Sequence, residues 1–170
     1  MKQHFEMMAA YNRWANRCVF DAAEPLPVPD LERDMGAFFR SILGTLNHIL
    51  VADRIWMRRF TGQGEAPARL DAILFPAFGA LKVAREAEDE RIAAWIGGLD
   101  ETALAGRFTY MTTTDVRVVS QRLAPALAHF FNHQTHHRGQ VHAMLTALGR
   151  PSPALDLIYF QRTPGGLPFA

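Results

Sequence analysis

The chain has 170 residues, 49% of them apolar and 21% charged, which suits a single globular domain of about 100–200 residues. Lys and Arg number 18 and Asp and Glu 17, for a net charge of +1; so even a balance argues against a protein built to neutralise phosphates, and nucleic acid is not expected as a partner. The single cysteine, Cys18, excludes an internal disulfide and a thiolate zinc or iron–sulfur site, and fits a reducing, cytoplasmic setting.

Met1-Lys2-Gln3-His4-Phe5-Glu6 has no apolar h-region, so a signal peptide is not expected. No run of about 18 apolar residues exists to span a membrane. From Phe5 to Ala23, Met8, Tyr11, Ala15, Cys18, Val19 and Ala22 recur at helical spacing. Pro25, Pro27 and Pro29 end that helix and predict an extended linker. A second helix is expected over Met35 to Phe60, stopped by Gly62, Gly64 and Pro67. Glu65 to Pro76 reads as a crossover. A third helix covers Ala77 to Ile96, with Gly97-Gly98 as its stop. Between Arg107 and Val119 the residues turn to strand formers, with Thr113-Thr114-Asp115 placed to turn between them. This predicts a short hairpin or extended loop. A fourth helix runs from Gln121 to Leu148, with Pro125 confined to its first turn and Gly149 at the position after its end. Leu155 to Gln161 is apolar and is expected to pack on the body. The expected class is all-α: a four-helix bundle with a short extended or hairpin segment before the last long helix. Residues 1–162 form one domain in this reading and 163–170 a tail.

The chain has seven histidines, four of them in His129-Phe-Phe-Asn-His133-Gln-Thr-His136-His137-Arg138-Gly-Gln140. Residues four apart on a helix share a face about 6 Å apart along the axis, so two such rings can hold one ion. With His129 at 0°, His133 falls near about 40°, His137 near about 80° and His136 near about −20°. The apolar residues of this helix centre near about 110°. His133 and His137 therefore sit at the edge of the buried face, whereas His129 and His136 turn further towards solvent. His142 lies about 180° from His133 and cannot join it. A catalytic metal site usually takes three protein ligands. The best third is His48, set among Leu43, Leu46, Ile49, Val51, Ile55 and Trp56 on the second helix. Set against this is the plainer reading of a hydrogen-bonded core histidine.

Tyr11-Asn-Arg-Trp14-Ala-Asn16, Ser41-Ile-Leu-Gly-Thr-Leu-Asn-His48 followed by Ala52-Asp53-Arg54-Ile-Trp56, Asn132-His133-Gln-Thr-His136-His137-Arg138-Gly139-Gln140-Val-His142, and Leu155-Asp-Leu-Ile-Tyr159-Phe occur in this order along most of the chain. Together they resemble the signatures of the DinB/YfiT-like metalloenzyme superfamily, the DinB branch in particular. The resemblance implies an up-down-down-up four-helix bundle, one divalent metal held by His48, His133 and His137, and a homodimer. It also implies thiol chemistry, since members of the superfamily use low-molecular-weight thiols in transfer and isomerisation. In such a scheme the metal holds a thiolate that attacks a small electrophilic substrate.

Imidazole ligands favour nickel, copper and zinc and do not single out the ion; zinc is the first expectation and nickel the second. Arg138 is a candidate auxiliary group for an anionic part of substrate or thiol, or else a salt-bridge partner. Asp53, on a mostly apolar helix, needs a partner if buried, with Arg13, Arg17 and Arg138 as the candidates. Hydrolysis by metal-activated water is the alternative chemistry. It needs a carboxylate base, and none occurs from Gln121 to Arg150. A stress-associated metal-binding protein without turnover is the third possibility. Di-iron carboxylate bundles are set aside because their Glu-x-x-His motifs are missing.

Overall fold

The computed structural model describes residues 1–112 and 117–170. The turn expected at Thr113-Thr114-Asp115, and Val116 after it, lie outside the described residues. The chain is mostly helical: α1 (Lys2–Ala23), α2 (Val28–Glu32), α3 (Ile42–Thr61), α4 (Phe78–Gly97), α5 (Glu101–Ala105), then strands β1 (Arg107–Met111) and β2 (Val118–Arg122), then α6 (Leu123–Ala147) and α7 (Leu157–Phe160). A 3-10 turn, Leu167–Phe169, closes the chain.

Local chemistry sets the element ends. The Ser41 hydroxyl accepts from the Gly44 N–H at 3.0 Å and starts α3. Pro125 sits in the first turn of α6, where its missing N–H costs nothing. Past the end of α6, Gly149 takes φ +67°, a left-handed angle that a side chain disfavours. Three boundaries depart from expectation. The proline-rich linker holds a short helix, α2, because Pro29 falls in its first turn, where its fixed φ suits a helix start. The second long helix begins at Ile42, not Met35, because Gly36 at φ +71° and the Ala37–Arg40 bridge turn the chain first. The short α5 was not anticipated; Asp100 caps it by accepting from the Ala103 N–H at 2.7 Å.

The strands pair antiparallel, with Phe108 opposite Gln121 and Tyr110 opposite Val119. Alternation puts Phe108 and Tyr110 on one face. That face packs on α3, Phe108 against Phe60 at 5.1 Å and Tyr110 against Trp56 at 5.6 Å between centroids.

Each of the four long helices packs on two of the others. α1 runs antiparallel to α4, since Asn12 meets Asp89 and Phe20 meets Phe78. It runs parallel to α6, where Phe5 meets Phe131 and Asn12 meets Arg138. α3 is antiparallel to α6, with His48 beside His133 and Trp56 beside His129. It is parallel to α4, with Asp53 beside Arg85 and Phe60 beside Trp95. α7 closes over α1, its buried Phe160 against Tyr11 and Trp14. The segment from Thr163 folds back, and Gln161 Nε2 donates to the Phe169 carbonyl at 3.0 Å.

Besides a small cluster of Tyr11, Ala15 and Phe160 beneath α7, two larger apolar clusters fill the interior. One gathers Val19, Ile42, Leu46, Leu50, Leu81, Val141 and Leu145. The other gathers Phe5, Met57, Ile92, Leu127 and Phe130. Between them, at the same level of all four helices, lies a belt of buried polar groups: Asn12, Asn16, Asp53, Arg85, Asp89, Gln134 and Arg138.

Candidate metal centre

His48, His133 and His137 meet at the α3–α6 seam. The gap from His48 Nε2 to His133 Nε2 is 3.3 Å, and from His137 Nε2 to His133 Nε2 it is 3.1 Å. Four nitrogens at about 2.0–2.1 Å around one tetrahedral ion stand roughly 3.3 Å apart, so these separations suit ligands of a common ion. One atom from each ring lies within 4.8 Å of the others.

The outer nitrogens decide which lone pairs face inward. His48 Nδ1 lies 2.8 Å from the Leu70 carbonyl, an acceptor only, so Nδ1 carries the proton and Nε2 offers a lone pair. Leu70 belongs to the crossover, and Asn47 helps to anchor that segment. Its side chain donates to the Phe75 carbonyl at 3.1 Å and accepts from the Phe75 N–H at 3.0 Å. His137 Nδ1 lies 2.8 Å from Gln140 Oε1, which orients that ring in the same sense. The Gln140 amide nitrogen in turn lies 3.4 Å from His136 Nε2. A carbonyl or amide oxygen behind the imidazoles of His48 and His137 is the arrangement that fixes ring orientation in metal sites.

Electrostatics favours the neutral rings a metal needs. Burial pushes His48 down to about 4. Burial, then its neighbours His137 and His48, pushes His133 down to about 3. Burial lowers His137 as well. Two neutral Nε2 lone pairs converge on His133, whose single Nε2 proton could not serve both fully. A cation at the centre satisfies all three.

The other expected residues lie around this point or away from it. His129 packs on Trp56 at 5.2 Å and is exposed, as the helical wheel predicts. His136 is exposed behind Gln140, and His142 faces a separate cavity on the far side of α6. That cavity, of about 880 Å³, is lined by Phe5, Tyr11, Phe131 and Arg138 but by none of the three ligand candidates. Arg138 turns into the polar belt: its Nη1 donates to Asn12 Oδ1 and, at 3.2 Å, to Asn16 Oδ1, and Nη2 reaches Thr135 at 3.2 Å. Asp53 accepts from Arg85 at 2.5 Å and from Gln134 at 2.6 Å, so its partner is on α4 and is not Arg13, Arg17 or Arg138.

Phe39 stacks on His48 with ring centroids 3.6 Å apart. Sequence reasoning missed it, and it missed the roles of Leu70 and Gln140. Gln140 was findable, three residues beyond His137 on the same helix face. A backbone carbonyl leaves no such signal.

A sequence model of the DinB family matches residues 1–165. The chain belongs to the DinB family. It is similar to "Protein DinB" of Bacillus subtilis (strain 168), 26% identical over 149 residues that cover 86% of this chain and 87% of that one. The three histidines and their supporting groups all fall inside the span matched to the DinB family.

Proposed function

We propose that this DinB-family chain holds one divalent metal, zinc before nickel, at His48, His133 and His137, and that it catalyses transfer of a low-molecular-weight thiol to a small electrophilic substrate. The observation that carries the metal is the convergence of the three Nε2 atoms, 3.1 and 3.3 Å from His133, with Nδ1 of His48 and of His137 already hydrogen-bonded. Three neutral imidazoles leave the fourth position open. A bound divalent ion supplies one thing there: it lowers the pKa of a coordinated thiol.

Everything else falls to the chain. Leu70 and Gln140 orient the rings of His48 and His137, Phe39 places aromatic surface against His48, and Trp56 packs on the neighbouring His129. The thiol reading draws support from the disposition of the acids. Hydrolysis needs a free carboxylate base, and Asp53, the nearest candidate on α3, is buried and committed to Arg85 and Gln134. The mutual directions of the four long helices support reading them as an up-down-down-up four-helix bundle. A homodimer is proposed on family resemblance alone.

The test is metal content per chain after purification without a metal column. Wild type is expected to carry about one divalent ion, and His48→Ala and His133→Ala to lose it. Cobalt-loaded wild type titrated with a small thiol should then develop a sulfur-to-cobalt charge-transfer band. A metal-loaded protein that shows no such band with any thiol tried would leave a metal-binding protein without this chemistry.

A further inference from the structure

The turn between α2 and α3 contains the one non-glycine residue with positive φ among the described residues, Arg40 at +67°. Such a conformation is costly for a residue with a side chain and persists only where its surroundings dictate it. Here three backbone bonds do so: Arg40 N–H to the Ala37 carbonyl at 2.7 Å, Met35 N–H to the Arg40 carbonyl at 2.7 Å, and Ser41 N–H to the Phe39 carbonyl at 2.8 Å. Asp34 adds bonds from Arg40 Nε at 2.8 Å and from the Gly36 N–H at 3.0 Å. The turn is also seated against α3. A Cβ on Gly44 would come within 2.2 Å of the Phe39 carbonyl, so only glycine lets the two backbones approach this closely.

What this strained turn delivers is the Phe39 ring. It lies nearly parallel to His48, 14° between planes and 3.6 Å between centroids. It also meets His137 edge-on at 5.5 Å. On the other side of the triad, His129 stands 6.0 Å from His133. A single hydrogen bond, Nδ1 to Leu70, leaves an imidazole free to tilt about that bond. A second ring stacked on its face removes this freedom.

We propose that Phe39 is a positioning residue of the metal centre: the strained turn presses its ring on His48, fixes the tilt of that ligand, and covers the His48–His137 edge of the triad. The inference rests on the metal reading of the triad.

The test uses the cobalt-loaded full chain. It follows the rate at which excess chelator withdraws the ion, together with the visible spectrum of the bound cobalt. Phe39→Ala is expected to speed withdrawal by about tenfold, in line with other groups that orient metal ligands, and to alter the spectrum. Phe39→Tyr keeps the ring and should match wild type. Phe39→Leu keeps apolar bulk without a plane and should behave like the alanine variant. Gly44→Ala displaces the turn without touching the ring and should also speed withdrawal. If Phe39→Leu, or Phe39→Ala, releases cobalt at the wild-type rate with an unchanged spectrum, the positioning role is overturned while the metal reading stands. Wild type that takes up no cobalt overturns the metal reading and the positioning role with it.

Discussion

Between about pH 6.5 and pH 4 the His48 ring stays neutral in the folded chain and takes up a proton in the unfolded one. His133 extends this window down to about 3. In that range the unfolded state binds more protons, so the triad's contribution to stability is present above pH 6.5 and is lost as pH falls. Burial raises Asp53 to about 6 against the pull of Arg85, and so works in the opposite direction over part of the range. Comparing variants separates the two effects. The melting temperature of the metal-free wild type should fall more steeply from pH 6.5 to pH 5 than that of a His48→Ala, His133→Ala double variant, which keeps Asp53. Equal slopes would mean that the rings are not shielded as described. The positions of His133 and His137 were legible in the sequence because one helix fixes their relation. What holds the ligand rings was less so. The carbonyl of Leu70 and the ring of Phe39 reach His48 through a crossover and a turn, whose paths depend on packing.

The polar belt raises a different question, since four helices each give up interior positions to it. Arg85 and Arg138 face Asp53 and Asp89, two charges of each sign, with Asn12, Asn16 and Gln134 bridging between them. Buried ion pairs are weak net stabilisers, but removing one partner strands the other. Asp53→Ala should therefore cost about 3–5 kcal/mol in urea unfolding. The paired change Asp53→Leu with Arg85→Met should recover much of that. If the single variant costs less than about 1 kcal/mol, the belt is looser than its distances imply. The belt fixes helix register, because a slip of one residue on α3 would part Asp53 from Arg85 and shift His48 relative to His133. The long helices were readable from apolar spacing and from Gly and Pro at their ends. The short α2 and α5 were not: one hides in a proline run and the other rests on a single Asp100 cap.

Taken as one object, the chain closes on itself through the triad. His48 and His133 are 85 residues apart, so an ion bound by both cross-links α3 to α6. An ion that binds only the folded chain stabilises it by about 2.7 kcal/mol at roughly 100 times its Kd. For a chain of this size that is on the order of 5–10 °C in melting temperature. Zinc should raise the melting point of wild type in proportion to the logarithm of its concentration and leave His133→Ala unmoved.

The bond from His48 to Leu70 carries this one step outward. A cation on Nε2 draws electron density from the ring and makes its Nδ1 proton a better donor, which tightens the hold on the Leu70 carbonyl. Arg69, the residue just before, is exposed and lies in a segment open to trypsin. Loading of the ion is thus transmitted to a surface peptide bond: cleavage after Arg69 should slow when the centre is filled and quicken when it is stripped. A proteolytic nick then becomes a gauge of metal supply, legible on a gel.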